Sequence, residues 1–164
     1  MKRKVKDFGI DFKYAEESEP LGTGGALKNT ERLVKGSKFY ALNGDILTNI
    51  DIGRLSVDGA IAAIALVPLR SPFGIVVAKQ GKVLGFEEKP LLRQHMINAG
   101  IYLMDRKVFE FAPRNGSLEK DVFEKLAPKG MINATEFADS YWRSIDSLKD
   151  MEEANKELAE GAMR

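Results

Sequence analysis

The sequence contains no cysteine and no long apolar run, and each absence excludes a class of protein. Without cysteine the chain has no disulfide, no thiol nucleophile and no cysteine-ligated zinc, and we expect a reducing, cytoplasmic setting. No run of about eighteen apolar residues occurs, and no apolar segment follows the basic residues 1–4, so neither a membrane span nor a signal peptide is predicted. Twenty-five Lys and Arg against 24 Asp and Glu leave a net charge of +1, which predicts no binding to nucleic acid or to a membrane.

Length and composition predict one globular domain. The chain has 164 residues, and 44% of them are hydrophobic, which is enough to build a core. It contains no repeat, no low-complexity segment and no linker, so we expect a single domain over residues 1–164.

Apolar strands alternate with helical segments through most of the chain. Residues 8–14 alternate apolar and polar side chains, the period of a half-buried strand, whereas residues 38–42 and 60–67 are continuous apolar runs. Gln80-Gly81 between two strand-like runs, 73–79 and 82–88, predicts a β-hairpin. The remaining predicted elements are strands at 97–104 and 132–137, the latter at a sheet edge, and helices at 26–34, 106–111, 118–126 and 147–160. This alternation favours a parallel sheet with helices on both faces.

A glycine-rich segment, Leu21-Gly22-Thr23-Gly24-Gly25, lies between a predicted strand and a predicted helix. Glycines there allow backbone to approach a ligand, and the N–H groups of the helix would face an anion or a base. The spacing matches neither the P-loop nor the dinucleotide fingerprint. Taken alone, the segment is equally typical of a tight turn.

Three further motifs lie at the ends of strands, and the first of them follows a strand, which is where open α/β sheets present ligand groups. Asn43-Gly44-Asp45 offers a carboxylate suited to Mg²⁺, although the same side chain is also typical of a helix N-cap or an Asx-turn. Glu88-Lys89 closes the hairpin and Asn98-Ala99-Gly100 begins the next strand. Such groups fit a hydroxylated, phosphorylated ligand, but at strand ends they are often only solvated.

In this order, the motifs and a Trp142 segment before the last helix resemble the sugar-1-phosphate nucleotidyltransferases, also called sugar-nucleotide pyrophosphorylases. The resemblance covers residues 8–153 approximately. It implies a Rossmann-like, three-layer α/β/α fold with a mixed, mostly parallel sheet and a β-hairpin insertion. It also implies Mg²⁺ as cofactor and a nucleoside triphosphate and a sugar 1-phosphate as substrates.

The resemblance assigns roles to individual positions. Asp45 and Lys89 are the expected catalytic residues, with Asp45 a Mg²⁺ ligand and Lys89 a phosphate contact. The expected nucleotide-binding residues are Glu17, Leu21, Gly22, Thr23, Gly24, Gly25, Asn43 and Gly44. The expected sugar-phosphate-binding residues are Gly74, Glu88, Lys89, Asn98 and Gly100.

Glu17 falls where the family reads the edge of the base. A carboxylate has two acceptors for the N1–H and N2–H₂ donors of guanine, whereas uracil or thymine would favour an amide. The hypothesis is therefore GTP with mannose 1-phosphate, and the alternatives are a glucose-1-phosphate thymidylyl- or uridylyltransferase and a non-catalytic regulatory or binding relative.

Two departures from the family pattern matter. The second metal ligand is usually an Asp two residues after the Trp, but Ser144 stands there, so Asp146 is either the replacement ligand or a helix N-cap. The Gly-x-Gly-x-Arg loop and first strand of the family are not found upstream of Leu21. We therefore expect an N-terminally shortened domain whose unpaired sheet edge drives homo-oligomer formation.

Overall fold

One mixed β-sheet and two short ladders organise the chain. The computed structural model describes residues 10–163. In chain order, the strands are β1 (Lys38–Leu42), β2 (Ile46–Thr48), β3 (Ala62–Arg70), β4 (Ile75–Lys79), β5 (Lys82–Glu87), β6 (Leu91–Asp105), β7 (Ile132–Glu136) and β8 (Trp142–Ser144). Across the described residues, β1-β6-β3-β7 form a four-stranded sheet, while β2 pairs with β8 and β4 pairs with β5.

The four-stranded sheet is mixed, as expected. Strands β1, β3 and β7 run in the same direction, and β6 runs against them between β1 and β3. Three of the four strands therefore run in the same direction. Of the three described ladders within this sheet, however, only β3–β7 is parallel, because β6 lies between β1 and β3. β7 lies at a sheet edge, which confirms the prediction for that strand.

Short helical segments connect the strands. They are α1 (Gly22–Asn29), α2 (Glu124–Leu126), α3 (Leu148–Ala159), a π-helical turn at Glu119–Phe123 and 3-10 turns at Ile52–Arg54, Arg106–Glu110 and Ala127–Lys129. Ser147 caps α3 by accepting the N–H of Asp150, which lies in the first turn of the helix. Among residues 10–163, no helix is long and apolar enough to cross a membrane.

The core occupies both faces of the sheet. One face packs against α1 and residues 106–126, where Phe39 and Phe109 stack with ring centroids 5.2 Å apart. The opposite face packs against residues 50–57, Phe137 and Trp142. The central residues of β3 and β6 are covered on both sides of the sheet. This agrees with their sequences, which are largely apolar there rather than alternating.

The predicted hairpin is confirmed in β4 and β5. Gln80 and Gly81 both have positive φ, 51° and 74°, as a two-residue type I′ turn requires. The hairpin carries exposed apolar side chains on both strands, including Val77, Leu84 and Phe86.

Two predicted elements differ from the structure. Residues 10–14 of the strand predicted at 8–14 are not in a strand, since no strand of the described part of the chain is hydrogen-bonded to them; residues 8 and 9 lie outside the described residues. The helix predicted at 26–34 begins at Gly22 and ends at Asn29. Gly24 and Gly25 pack against residues 113–118, and the Gly116 carbonyl accepts both of their N–H groups.

Candidate active site

A cavity of about 800 Å³ brings together three of the predicted nucleotide-binding residues. Glu17 borders it from the segment before α1, Thr23 from the first turn of α1, and Asn43 from the residue after β1. The sequence separates these residues, and the adjacency of α1 to the end of β1 assembles them. The site prediction therefore has a shared concave surface in the structure.

The glycines of α1 contact protein backbone. Gly24 N–H donates to the Gly116 carbonyl at 2.9 Å, and Gly25 N–H donates to the same oxygen at 3.4 Å. A Cβ atom on Gly25 would lie 2.7 Å from the Arg114 carbonyl oxygen, and one on Gly22, whose φ is +72°, would lie 2.4 Å from that of Gly116. The N–H groups of Gly24 and Gly25 therefore do not face an anion or a base, because the Gly116 carbonyl accepts both.

Leu21 and Glu17 are linked within the same segment. The backbone N–H of Leu21 donates to Glu17 Oε2 at 3.1 Å. This bond orients the Glu17 carboxylate at the border of the cavity and leaves its second oxygen without a protein donor among the hydrogen bonds of the described residues.

Asn43 joins the cavity to the predicted sugar motif. Its N–H donates to the Gly100 carbonyl at 2.9 Å, and a Cβ on Gly100 would lie 2.7 Å from the Asn43 side chain, so Gly100, at φ +70°, is needed for this approach. Asn98 Oδ1 accepts the Gly100 N–H at 2.9 Å, and Asn98 Nδ2 donates to the Tyr102 hydroxyl at 2.8 Å. Asn43, Asn98 and Gly100 therefore form one hydrogen-bonded group.

From the sequence alone, neither Tyr102 nor Glu119 is assigned to the site. Tyr102 and Glu119 both line the cavity. Burial raises the pKa of Tyr102, which remains a neutral hydroxyl. Burial alone would raise the pKa of Glu119, but hydrogen bonds from Ser117 and Thr23 outweigh it and hold that pKa below its usual range. The sequence predicted only a helix start at Leu118, where an acidic residue is common without any function.

Asp45 and Asp146 lie at the same end of the β2–β8 ladder. The Ile145 N–H donates to the Asp45 carbonyl at 2.8 Å, and Ser144 Oγ donates to Asp146 Oδ2 at 2.8 Å. Asp45 is followed by strand β2, and Ser147 caps α3, so neither aspartate is a helix N-cap. The alternative that Asp146 is a helix N-cap is therefore excluded, because Ser147 caps α3.

Arg143 fixes the strand that leads to Asp146. Its guanidinium forms ion pairs with Glu153 and Glu157 of α3, the second with Nη1 to Oε1 at 2.7 Å. Burial alone would lower the pKa of Arg143, but the hydrogen bond to Glu153 and the charge of Glu157 raise it. The arginine therefore remains a cation that holds β8 against α3.

The predicted sugar-phosphate residues at the hairpin form a separate group. A Cβ on Gly74 would lie 2.6 Å from the Phe86 ring and 3.0 Å from Glu88 Oε2, so Gly74 and Glu88 are neighbours. Lys89 has a φ of 47°, a conformation that is uncommon for a residue with a side chain. Such outliers concentrate at functional sites.

The metal-ligand set is small. Within residues 10–163, no group of three or more His, Cys, Asp or Glu side chains is placed to hold a metal ion. Asp45 and Asp146 lie at the same end of the β2–β8 ladder, and Mg²⁺ is usually bound by one or two carboxylates together with substrate phosphates. The residues present fit that ion.

Comparison with known proteins gives concordant results. The family model for nucleotidyl transferase matches residues 1–161. The D-glycero-alpha-D-manno-heptose 1-phosphate guanylyltransferase of Campylobacter jejuni is 41% identical over 132 residues, which cover 77% of this chain and 58% of that protein. The mannose-1-phosphate guanyltransferase of Yarrowia lipolytica is 30% identical over 162 residues, 92% of this chain and 44% of that protein. The chain thus spans about half the length of these two relatives.

A solved structure supports the fold. The crystal structure of HddC from Yersinia pseudotuberculosis superposes with a TM-score of 0.62 at 26% identity, covering 87% of this chain and 64% of that one. The mixed α/β architecture is therefore that of solved nucleotidyltransferase relatives.

Proposed function

Because the chain belongs to the nucleotidyl transferase family, we propose that it joins a nucleoside triphosphate to a sugar 1-phosphate. In this reaction a phosphate oxygen of the sugar 1-phosphate attacks the α-phosphorus of the nucleotide. The bond between the α-phosphorus and the bridging oxygen breaks, and pyrophosphate leaves with the electron pair. The products are an NDP-sugar and pyrophosphate.

The proposed nucleotide is GTP. The observation that carries this choice is the Glu17 carboxylate, which is held at the cavity border by the Leu21 N–H and keeps a second acceptor oxygen. Guanine offers an N1–H and an N2–H₂ donor on one edge, which a carboxylate matches and which uracil and thymine lack. Both curated relatives described above carry guanylyl- or guanyltransferase in their names.

The proposed second substrate is a sugar 1-phosphate of manno configuration. Mannose 1-phosphate is the candidate from the sequence motifs, and the heptose relative has the same ring configuration in its name. Glu88 would accept hydrogen bonds from ring hydroxyls, and Asn98 would donate to them. The glycines at 74 and 100 would let the sugar approach the backbone. Lys89 would pair with the sugar phosphate, where a cation offsets the charge of two phosphates that must meet.

Asp45 and Asp146 would hold a Mg²⁺ ion. When bound, Mg²⁺ neutralises phosphate charge during the displacement. The chain's own contribution would be positional: the β2–β8 ladder places the backbones of Asp45 and Ile145 side by side, and Arg143 ties that ladder to α3. Orientation of this kind is a large part of catalysis in phosphoryl transfer.

Pyrophosphate release tests the proposal. The chain would be incubated with Mg²⁺, mannose 1-phosphate or the manno-heptose 1-phosphate, and GTP, UTP or dTTP in turn. We expect turnover or binding with GTP. Asp45→Asn should lose that turnover or binding while its melting temperature stays unchanged. Preference for UTP or dTTP would contradict the assignment of Glu17, and GTP binding without turnover would favour the non-catalytic alternative.

Homo-oligomer formation through β1 stays a proposal as well. In the described part of the chain β1 pairs on one side only, and its alternate residues Tyr40 and Leu42 are exposed. Unpaired strand edges with apolar side chains favour strand-to-strand association. Light scattering should detect a species larger than the monomer that Tyr40→Lys dissociates, and a monomer at all concentrations would overturn this proposal.

A further inference from the structure

We propose that Glu119 is a positioning residue that holds the first turn of α1 in the geometry required for nucleotide binding. The inference rests on the proposed function, because it assigns a role to the same cavity. Glu119 lies outside the glycine motif and 96 residues from Thr23, the residue through which it acts.

One carboxylate oxygen of Glu119 joins two segments of the chain. Thr23 Oγ1 donates to Glu119 Oε2 at 2.8 Å, and Ser117 Oγ donates to the same oxygen at 2.7 Å. The hydroxyl of Thr23 also accepts the N–H of Leu118 at 2.8 Å. Hydrogen bonds to an ionised carboxylate are among the stronger ones in proteins. We refer to Thr23, Ser117, Leu118 and Glu119 as the hydroxyl latch.

The glycines of α1 explain why a latch is needed. Gly24 and Gly25 allow the helix to approach residues 113–118, and they have no side chains that could hold it there. The Gly116 carbonyl accepts both of their N–H groups, one of them at the long distance of 3.4 Å. The latch adds side-chain bonds that fix the rotation of α1 about this carbonyl.

The rotation of α1 determines the shape of the cavity. Thr23, Ala26 and Leu27 form its wall on one side, and Asn43 lies across from the helix at the end of β1. A ligand that contacts both sides requires them at a fixed separation, and small displacements of binding groups reduce affinity strongly. Since Thr23 Oγ1 donates its one proton to Glu119 and accepts the Leu118 N–H, it has no proton left to donate to a ligand.

The test compares affinity and stability in matched variants. Calorimetry would measure the dissociation constant for GTP well below the melting temperature, and amide hydrogen exchange of the ligand-free protein would report Gly24 and Gly25. Glu119→Ala should weaken GTP binding by about tenfold, the effect of one lost charge-assisted hydrogen bond, and should accelerate exchange of both amides. Glu119→Gln should restore most of the affinity, because the amide oxygen still accepts from both hydroxyls.

Two variants of Thr23 test whether Glu119 acts through that residue. Thr23→Val should reproduce Glu119→Ala, whereas Thr23→Ser keeps the hydroxyl and should leave the amide exchange of Gly24 and Gly25 unchanged. Glu31→Ala is the matched control, since Glu31 pairs with Lys28 at 2.9 Å near the same helix and does not line the cavity.

Each outcome decides the proposal. Faster exchange and weaker binding in Glu119→Ala, with rescue by Glu119→Gln, support it. A lower melting temperature with unchanged GTP affinity assigns Glu119 a merely structural role and overturns it, as does unchanged exchange. If the unaltered protein binds no nucleotide, the proposed function fails, and so does the role of Glu119 in nucleotide binding. The exchange data would still decide whether the latch holds α1 in place.

Discussion

A Gly25→Ala substitution provides the most direct test of the packing at the glycine segment. The added methyl carbon would lie 2.7 Å from the Arg114 carbonyl oxygen, 2.8 Å from Leu21 Cβ and 3.1 Å from Asn115 Cα. Two of these atoms belong to backbone, which cannot rotate away as a side-chain end would. Either α1 or the loop at 113–118 must therefore move.

The expected magnitude is a balance of two effects. Alanine is favoured over glycine within a helix by about 0.5–1 kcal/mol, which by itself would stabilise the protein. Overpacking in a well-packed region typically destabilises by about 1–3 kcal/mol, and contacts under 3.0 Å with fixed atoms belong in the upper part of that range. We expect a net loss of about 1–2 kcal/mol, which lowers the melting temperature by roughly 2–8 °C in a domain of this size.

Urea unfolding followed by circular dichroism would measure the loss. Gly44→Ala is the control, because nothing lies within 4 Å of its added carbon. Gly44→Ala should leave the free energy of unfolding within about 0.5 kcal/mol of the unaltered value. A Gly25→Ala protein as stable as the Gly44→Ala protein would refute the tight contact and would restore the interpretation of these glycines as open to a ligand.

Three other substitutions test the remaining parts of the site and its support. Asp146→Asn should weaken the Mg²⁺ binding measured by calorimetry with GTP present, as Asp45→Asn should, and unchanged binding would exclude Asp146 as a ligand. Arg143→Met should lower the free energy of unfolding in urea by about 1–2 kcal/mol, because partly exposed pairs with α3 are lost, and an unchanged midpoint would refute that anchoring role. Burial and the hydrogen bond to Glu157 raise the pKa of Tyr141 from 10.0 to about 12, so its contribution to stability is complete below pH 10 and is lost as the pH rises towards 12. Because the pKa of buried Tyr102 is raised as well, Tyr141→Phe should reduce that alkaline decline in melting temperature without abolishing it, and an equal decline in both proteins would exclude a contribution from Tyr141.

Much of the fold could be predicted because local patterns encode it. Gln80-Gly81 between two apolar runs predicted the hairpin, since those residues adopt the positive φ values of a type I′ turn. The charged, amphipathic stretch at 147–160 predicted the last helix, which the structure has at Leu148–Ala159. Each of these elements depends on residues that are neighbours in the sequence.

The strand predicted at 8–14 failed in residues 10–14 for a different reason. Alternation predicts that a segment could be half-buried in a sheet, but a strand also needs a hydrogen-bonding neighbour. Across the described residues, β1 has β6 as its one partner, and no partner lies beside residues 10–14. The alternation at 8–14 is therefore compatible with a strand, but in the described residues 10–14 no hydrogen-bonding partner completes one.

The sequence by itself determined the family, the order of the motifs and the side chains available for chemistry. Only the tertiary structure decided which of those side chains meet. The β2–β8 ladder brings Asp146 beside Asp45, and the loop at 113–118 brings Glu119 to Thr23 while occupying the amides of Gly24 and Gly25. Such contacts link residues about a hundred positions apart, and no local pattern records them, because they depend on how whole elements pack rather than on the preferences of neighbouring residues.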